Sequence, residues 1–252
     1  MKQQIHDTIH SLQDQENIRI LYTCESGSRA WGFPSPDSDW DVRFIYAHPR
    51  EWYLELNQKK DCINQMLPND LDLSGWELAK ALRLFHSCNL GLNEWLGSPC
   101  IYQKNNLFHQ QLHQLIPHYF NAKKGIFHYL SVAVKTLDTH LMGNEIKIKK
   151  FFYILRPLLA CEWIVQNNSM PPTEFHTLLN QSELIHSVKD PVENYLELKK
   201  TAVEGQLIQL SAEVINWLNS QIRHFKISAV NCTNKSNKDW LPLNDIMRNY
   251  CF

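Results

Sequence analysis

Asp39 and Asp41 stand two residues apart, and in a strand such a pair projects to one face. Carboxylates held side by side repel each other and attract a cation. An all-oxygen donor set favours Mg2+, which takes one or two carboxylates together with substrate phosphates. Upstream, Gly27-Ser28 offers a glycine whose backbone can approach an anion closely, beside a hydroxyl that can donate. Downstream, Asp70 and Asp72 form a second acidic pair on one strand face. Either can complete a two-metal site, and Asp72 is preferred because it lies nearer the strand's end and the helix that follows. This set suits a nucleoside triphosphate bound with its metals. Each motif alone is ordinary, since Asp-x-Asp is most often a solvated edge or turn. What carries the reading is their order: strand, Gly-Ser, loop, acidic pair opening a strand, then another acidic strand.

The elements that must position these residues follow from periodicity. Ile5, Ile9 and Leu12 recur at helical spacing, so residues 2–15 read as a first helix. Residues 18–24 and 41–46 read as strands, and 26–39, with its glycines and prolines, largely as a loop. Residues 61–66 and 69–73 read as further strands. Ser74-Gly75-Trp76-Glu77 has the form of a capping box, so a helix is expected to start there, with Leu78, Leu82 and Phe85 as its apolar stripe. Beyond about residue 105 strand signals fade. Residues 107–116, 123–142, 146–166 and 192–222 read as helices, followed by a polar stretch at 231–238 and a last short helix near 241–247. The expected fold class is α+β, with an N-terminal catalytic domain of mixed sheet and helices at 1–105. A C-terminal helical domain at 106–252 would complete a nucleotide cleft.

In the helical half, Ile148, Phe152, Leu155, Leu159 and Trp163 form one stripe. Lys149, Tyr153 and Arg156 stand on an adjacent face, where two cations flanking an aromatic can hold a triphosphate and contact a nucleotide; the bland alternative is a solvated basic side. Pro157 is expected to kink this helix after Arg156. Arg29 and Arg43 flank the acids and balance their charge, with phosphate contact by Arg29 as the alternative. Trp31, Trp40, Trp76 and Trp95 surround the motifs and read mostly as core, with base stacking by one of them as the other reading.

Composition sets the bounds. With 44% hydrophobic and 20% charged residues the chain reads as globular. A net charge of −1 points to neither a nucleic-acid coat nor a membrane-surface protein, so any nucleic-acid contact must be local. The cysteines are odd in number, with no C-x-x-C pair, the N-terminus does not read as a signal peptide, and no apolar run approaches the roughly 18 residues of a membrane span. Reduced thiols in the cytoplasm are expected. His6/His10 and His109/His113 have helical spacing but no third zinc ligand nearby.

The stretch ESGSRAWGFPSPDSDWDVRFIY at 25–46 resembles the nucleotidyltransferases associated with RNA ligases, often called RlaP. These are similar to the minimal nucleotidyltransferases of the DNA polymerase β superfamily. The resemblance continues through DLSGWELAKAL at 72–82, LNEWLGSP at 92–99 and KKFFYILRPLL at 149–159, and so covers roughly residues 15–165. It implies Gly27 and Ser28 on the triphosphate, Asp39 and Asp41 on metal, and Asp72 as the third acid, the one that activates the acceptor hydroxyl. It also implies Mg2+ or Mn2+, two ions with the nucleotide bound. The reaction it implies moves a nucleoside monophosphate from a triphosphate such as ATP to an acceptor, with RNA repair or end modification as the setting. The competing reading is an antitoxin-like or regulatory module that keeps the fold and acts through a protein partner.

Overall fold

The computed structural model describes residues 1–35, 38–201, 205–232 and 239–252. The fold is mixed α+β, and the chain divides into two compact units. One comprises Met1–Ala30, Asp39–Tyr119 and Asn237–Phe252, the other Trp31–Ser38 and Phe120–Ser236. The division therefore differs from a single cut near residue 105. Helix 106–119 and the C-terminal helix group with the first unit, while the short segment after Ala30 groups with the second.

The first unit opens with α1 (Lys2–Glu16), which the Ile5/Ile9/Leu12 stripe predicts. β1 (Arg19–Glu25) leads into α2 (Gly27–Ala30), a single turn. β2 (Trp40–Ala47), α3 (Arg50–Leu54), β3 (Cys62–Leu67) and β4 (Leu71–Glu77) follow. Then come α4 (Leu78–His86), α5 (Leu90–Leu96), β5 (Ile101–Lys104) and α6 (Asn106–Tyr119). The five strands lie in the order β3-β4-β2-β1-β5. β2 and β4 run parallel and the other neighbours antiparallel. α1 lays its stripe on one face, against Val42, Phe44, Tyr46, Leu71 and Leu73. Strand alternation sends Asp41 and Arg43 to the opposite face.

The expected helix start at Ser74 does not occur. β4 runs on to Glu77, and Ser74 lies inside it, its Oγ donating to Asn64 Oδ1 of β3 (2.6 Å). Pairing on both sides outweighs the local cap signal. Gly75 belongs to the strand for a packing reason, since a Cβ there would lie 2.1 Å from the Phe44 ring. The true cap is Glu77, whose carboxylate accepts from the Ala79 and Lys80 amides (2.6 and 3.0 Å).

In the second unit α7 (Ala122–His140) and α8 (Ile148–Asn167) pack together, with β6 (Glu145–Lys147) between them in the chain. α8 is buried without a break from Ile154 to Glu162, so it is a central helix enclosed on every side and not one with a single narrow stripe. Pro157 lies inside α8 and does not end it. α9 (Phe175–Gln181) and a 3-10 turn at Leu184–Val188 come next. The helix expected over 192–222 is two helices, α10 (Lys189–Thr201) and α11 (Ala212–Asn231). β7 (Leu207–Gln209) separates them and pairs with β6, burying Ile146 opposite Ile208. The last helix, α12 (Leu241–Tyr250), returns to the first unit, where Tyr250 packs on Phe108. From residue 233 the expected polar stretch lies outside the described residues. Among those described, no helix is long and apolar enough to cross a membrane.

Candidate active site

The site grows from the central parallel pair. β2 and β4 align so that Asp41 faces Asp72 across one rung. One guanidinium nitrogen of Arg43 donates to both carboxylates, at 2.9 Å to Asp41 Oδ1 and 2.8 Å to Asp72 Oδ2. The other nitrogen donates to the Val42 and Asp72 carbonyls (3.1 and 3.0 Å). Arg43 is thus a built-in counter-ion that sets the spacing of the two acids.

Gly27 closes the site from the β1 side. Its φ of +60° is one that side-chain-bearing residues rarely adopt, and a Cβ there would lie 2.2 Å from Asp41 Oδ2. The Ser26 amide donates to the Asp41 carbonyl (2.8 Å), which ties the α2 turn to β2. Ser28 is buried in that turn.

Beneath Asp41 sits Glu25, a carboxylate that motif reasoning did not single out. It is fully buried. Its Oε1 accepts from the Asp41 amide (2.7 Å), and its Oε2 accepts from the Tyr102 hydroxyl. The Glu25 carbonyl accepts from Ser98 Oγ (2.6 Å). Burial pushes the Glu25 carboxyl above its ordinary pKa, and the Asp41 charge pushes the same way; the two donors and Arg29 only partly offset them. A raised carboxyl pKa means that the folded chain holds the proton more tightly than the unfolded one. Its contribution to stability is then largest below the unfolded pKa and falls as pH rises towards the folded value. Glu25→Gln keeps the shape and an acceptor for the Asp41 amide. The parent should therefore lose stability relative to Glu25→Gln as pH rises from the ordinary glutamate range, and melting curves across pH would check it. Parallel curves for the two proteins would contradict a strained, buried Glu25.

Asp39 is exposed and immediately precedes β2. Its carbonyl accepts from Arg29 Nε (3.0 Å), and the Arg29 guanidinium lies 3.8 Å from the centre of the Trp40 ring. Arg29 thus fastens the start of β2. Asp70 is not on the strand face expected for it. With Asn69 it forms the tight turn between β3 and β4, both residues at positive φ (54° and 66°), and its carbonyl accepts from the Trp40 amide (2.8 Å).

Lys149, Tyr153 and Arg156 belong to the second unit. Arg156 does not stand on a solvated face. It is 2% exposed, donates from Nε and Nη2 to the Thr173 carbonyl (3.2 and 3.0 Å), and lies 4.6 Å from the centre of the Trp31 ring. The enclosure of α8 makes this cation a clamp on Trp31 and Thr173. Tyr153 is half-buried, edge-on to Trp31, with Lys150 Nζ 5.4 Å from its ring centre, and Lys149 is half-buried. Among the described residues no three His, Cys, Asp or Glu side chains form a ready-made metal cluster.

The model of the RNA repair pathway DNA polymerase beta family, RlaP, matches residues 1–249. The chain belongs to the RlaP family. Membership extends well past the 15–165 span in which the motifs are legible. YcgL of Bacillus subtilis strain 168, an uncharacterised protein, is 42% identical over 214 residues, which is 85% of this chain and 81% of YcgL. A crystal structure of a nucleotidyltransferase-like protein from Exiguobacterium sibiricum 255-15 is also similar. It aligns over 97% of this chain and 80% of its own, with a TM-score of 0.33 and 10% identity.

Proposed function

We propose that this RlaP protein is a nucleotidyltransferase that moves a nucleoside monophosphate from a triphosphate such as ATP to an acceptor hydroxyl, with an RNA end in repair as the acceptor class. The observation that carries the reading is the Asp41–Asp72 rung with Gly27 pressed against Asp41. Family membership supports it.

The residues fit a divalent metal: a carboxylate donor set, joined by a cation that a metal can replace, and a glycine where any side chain would fill the space beside Asp41. Asp41 and Asp72, with Asp39 at the open end of β2, would hold Mg2+ or Mn2+, as two ions once the triphosphate is bound. Bound there, the metal supplies charge neutralisation for the phosphates and lowers the pKa of the acceptor hydroxyl. Gly27 and Ser28 give backbone and hydroxyl donors to the phosphates. Asp72 takes the acceptor's proton. The acceptor oxygen then bonds to the α-phosphorus, and the bond to the bridging oxygen of pyrophosphate breaks.

Calorimetry with a non-hydrolysable triphosphate tests the site. The parent should bind it weakly without Mg2+ and more tightly with it, because phosphate oxygens complete the metal's shell. The Asp39→Asn/Asp41→Asn variant should lose the metal-dependent gain. Equal, metal-dependent affinity in that variant would overturn the assignment.

A further inference from the structure

The first unit carries a second recess, away from the acid rung. It is a cavity of about 440 Å3, within the size range of small-ligand sites, at the far end of β2 and along the edge strand β3. Its walls combine three kinds of group. Tyr46, Trp52 and Ile63 are aromatic or apolar. Lys59 and Lys60 are cationic. His48, Asn64, Gln65 and Glu16 are hydrogen-bonding.

The details narrow the ligand. His48 stacks on Trp52 with ring centres 4.0 Å apart and planes 8° from parallel. Burial, with the Lys59 charge adding to it, pushes the His48 pKa down to about 4, so at neutral pH the ring offers one donor and one acceptor and no charge. Lys59 Nζ lies 4.8 Å from the centre of the Trp52 ring and 2.8 Å from Glu55 Oε2, so its ammonium is held against the aromatic wall by a surface partner that a phosphate can replace. Lys60 is exposed. A planar, flat-faced group with amide-like edges and a phosphate attached matches all three: aromatic walls for its faces, amides and a neutral imidazole for its edges, two ammonium groups for the phosphate.

We propose that this cavity docks a nucleotide unit, a nucleobase with its phosphate, either free or as one residue of a single strand. The cavity lies on the α1 face of the sheet: Tyr46 and Ile63 pack with α1, and Gln65 pairs with Leu73, which is buried there, whereas Asp72 alternates to the opposite face. Docking therefore does not rest on the transferase reading.

The test measures binding alone, in chelator, so that the acid rung is left without metal. A 3′-labelled, eight-nucleotide RNA is titrated with protein and read by fluorescence anisotropy, and AMP is used as competitor in a second arm. Lys59→Gln/Lys60→Gln should weaken RNA binding at least tenfold and flatten its salt dependence, while Lys2→Gln/Lys226→Gln, which removes the same charge from two exposed positions outside the cavity, should bind as the parent does. If AMP competes and its own affinity falls in the Lys59/Lys60 variant, the unit is taken free; if only the RNA is affected, it is taken as part of a strand. Both support the site. Unchanged RNA and AMP affinity in the Lys59/Lys60 variant, or an equal loss in Lys2→Gln/Lys226→Gln, would overturn it. Neither result depends on whether transfer occurs.

Discussion

Gly27→Ala is expected to lower metal-dependent triphosphate affinity and any transfer activity by about a hundredfold or more, while the chain still folds. The reason is local. A methyl group at this position would sit 2.2 Å from Asp41 Oδ2, and the backbone is at φ +60°. Holding a non-glycine residue in that conformation costs about 1–2 kcal/mol. That is tolerable for a domain with this sheet, but the contact forces the Asp41 carboxylate to move. A displacement of about 1 Å at a reacting centre can cost on the order of a hundredfold, or about 2.7 kcal/mol. Calorimetry with Mg2+ and triphosphate, alongside a melting curve, separates the two effects. A variant that folds and binds nucleotide within a few-fold of the parent would show that Gly27 does not shape the site.

The second large effect distinguishes two neighbouring acids. Asp72→Asn keeps the side chain's size and an oxygen for Arg43, so the β2–β4 rung and nucleotide affinity should stay near the parent values. Transfer should fall about 10²–10⁴-fold, because an amide cannot take the acceptor's proton. Asp70→Asn should change little. Asp70 sits in a left-handed turn where asparagine is at home, and its structural contribution is a backbone carbonyl. Binding by calorimetry and transfer by label release, measured on both variants, decide the matter. Loss of transfer in Asp70→Asn with full activity in Asp72→Asn would reverse the assignment.

Much of this first unit is written locally in the sequence. The Ile5/Ile9/Leu12 spacing, the β-branched run at 18–24 and the Asp39–Asp41 pair each announce an element within a few residues. The parallel register that sets Asp41 opposite Asp72 is a long-range pairing, and nothing nearby in the chain specifies it. The Ser74 cap signal failed for the same reason, because partners on both sides kept Ser74 in a strand. Glu25 passed unnoticed since its role depends on Tyr102, far along the chain, although a lone acid ending an apolar strand was a visible oddity. A basic residue such as Arg156 at helical spacing looks solvated until the helix is known to be enclosed. The 192–222 run has the composition of one helix, and only the pairing of β7 with β6 interrupts it. The unit boundary is not legible locally because the chain crosses it four times.

The most direct measurement follows the label in a transfer reaction. The parent protein, Mg2+ and a nucleoside triphosphate labelled at the α-phosphate are incubated with a pool of RNA ends, proteins and small molecules, with γ-labelled triphosphate and Asp72→Asn as parallel reactions. Nucleotidyl transfer predicts that the α-label alone reaches an acceptor, that pyrophosphate is released with it, and that Asp72→Asn, still binding the nucleotide, labels nothing. Transfer of the γ-label, or α-labelling undiminished in Asp72→Asn, would contradict it.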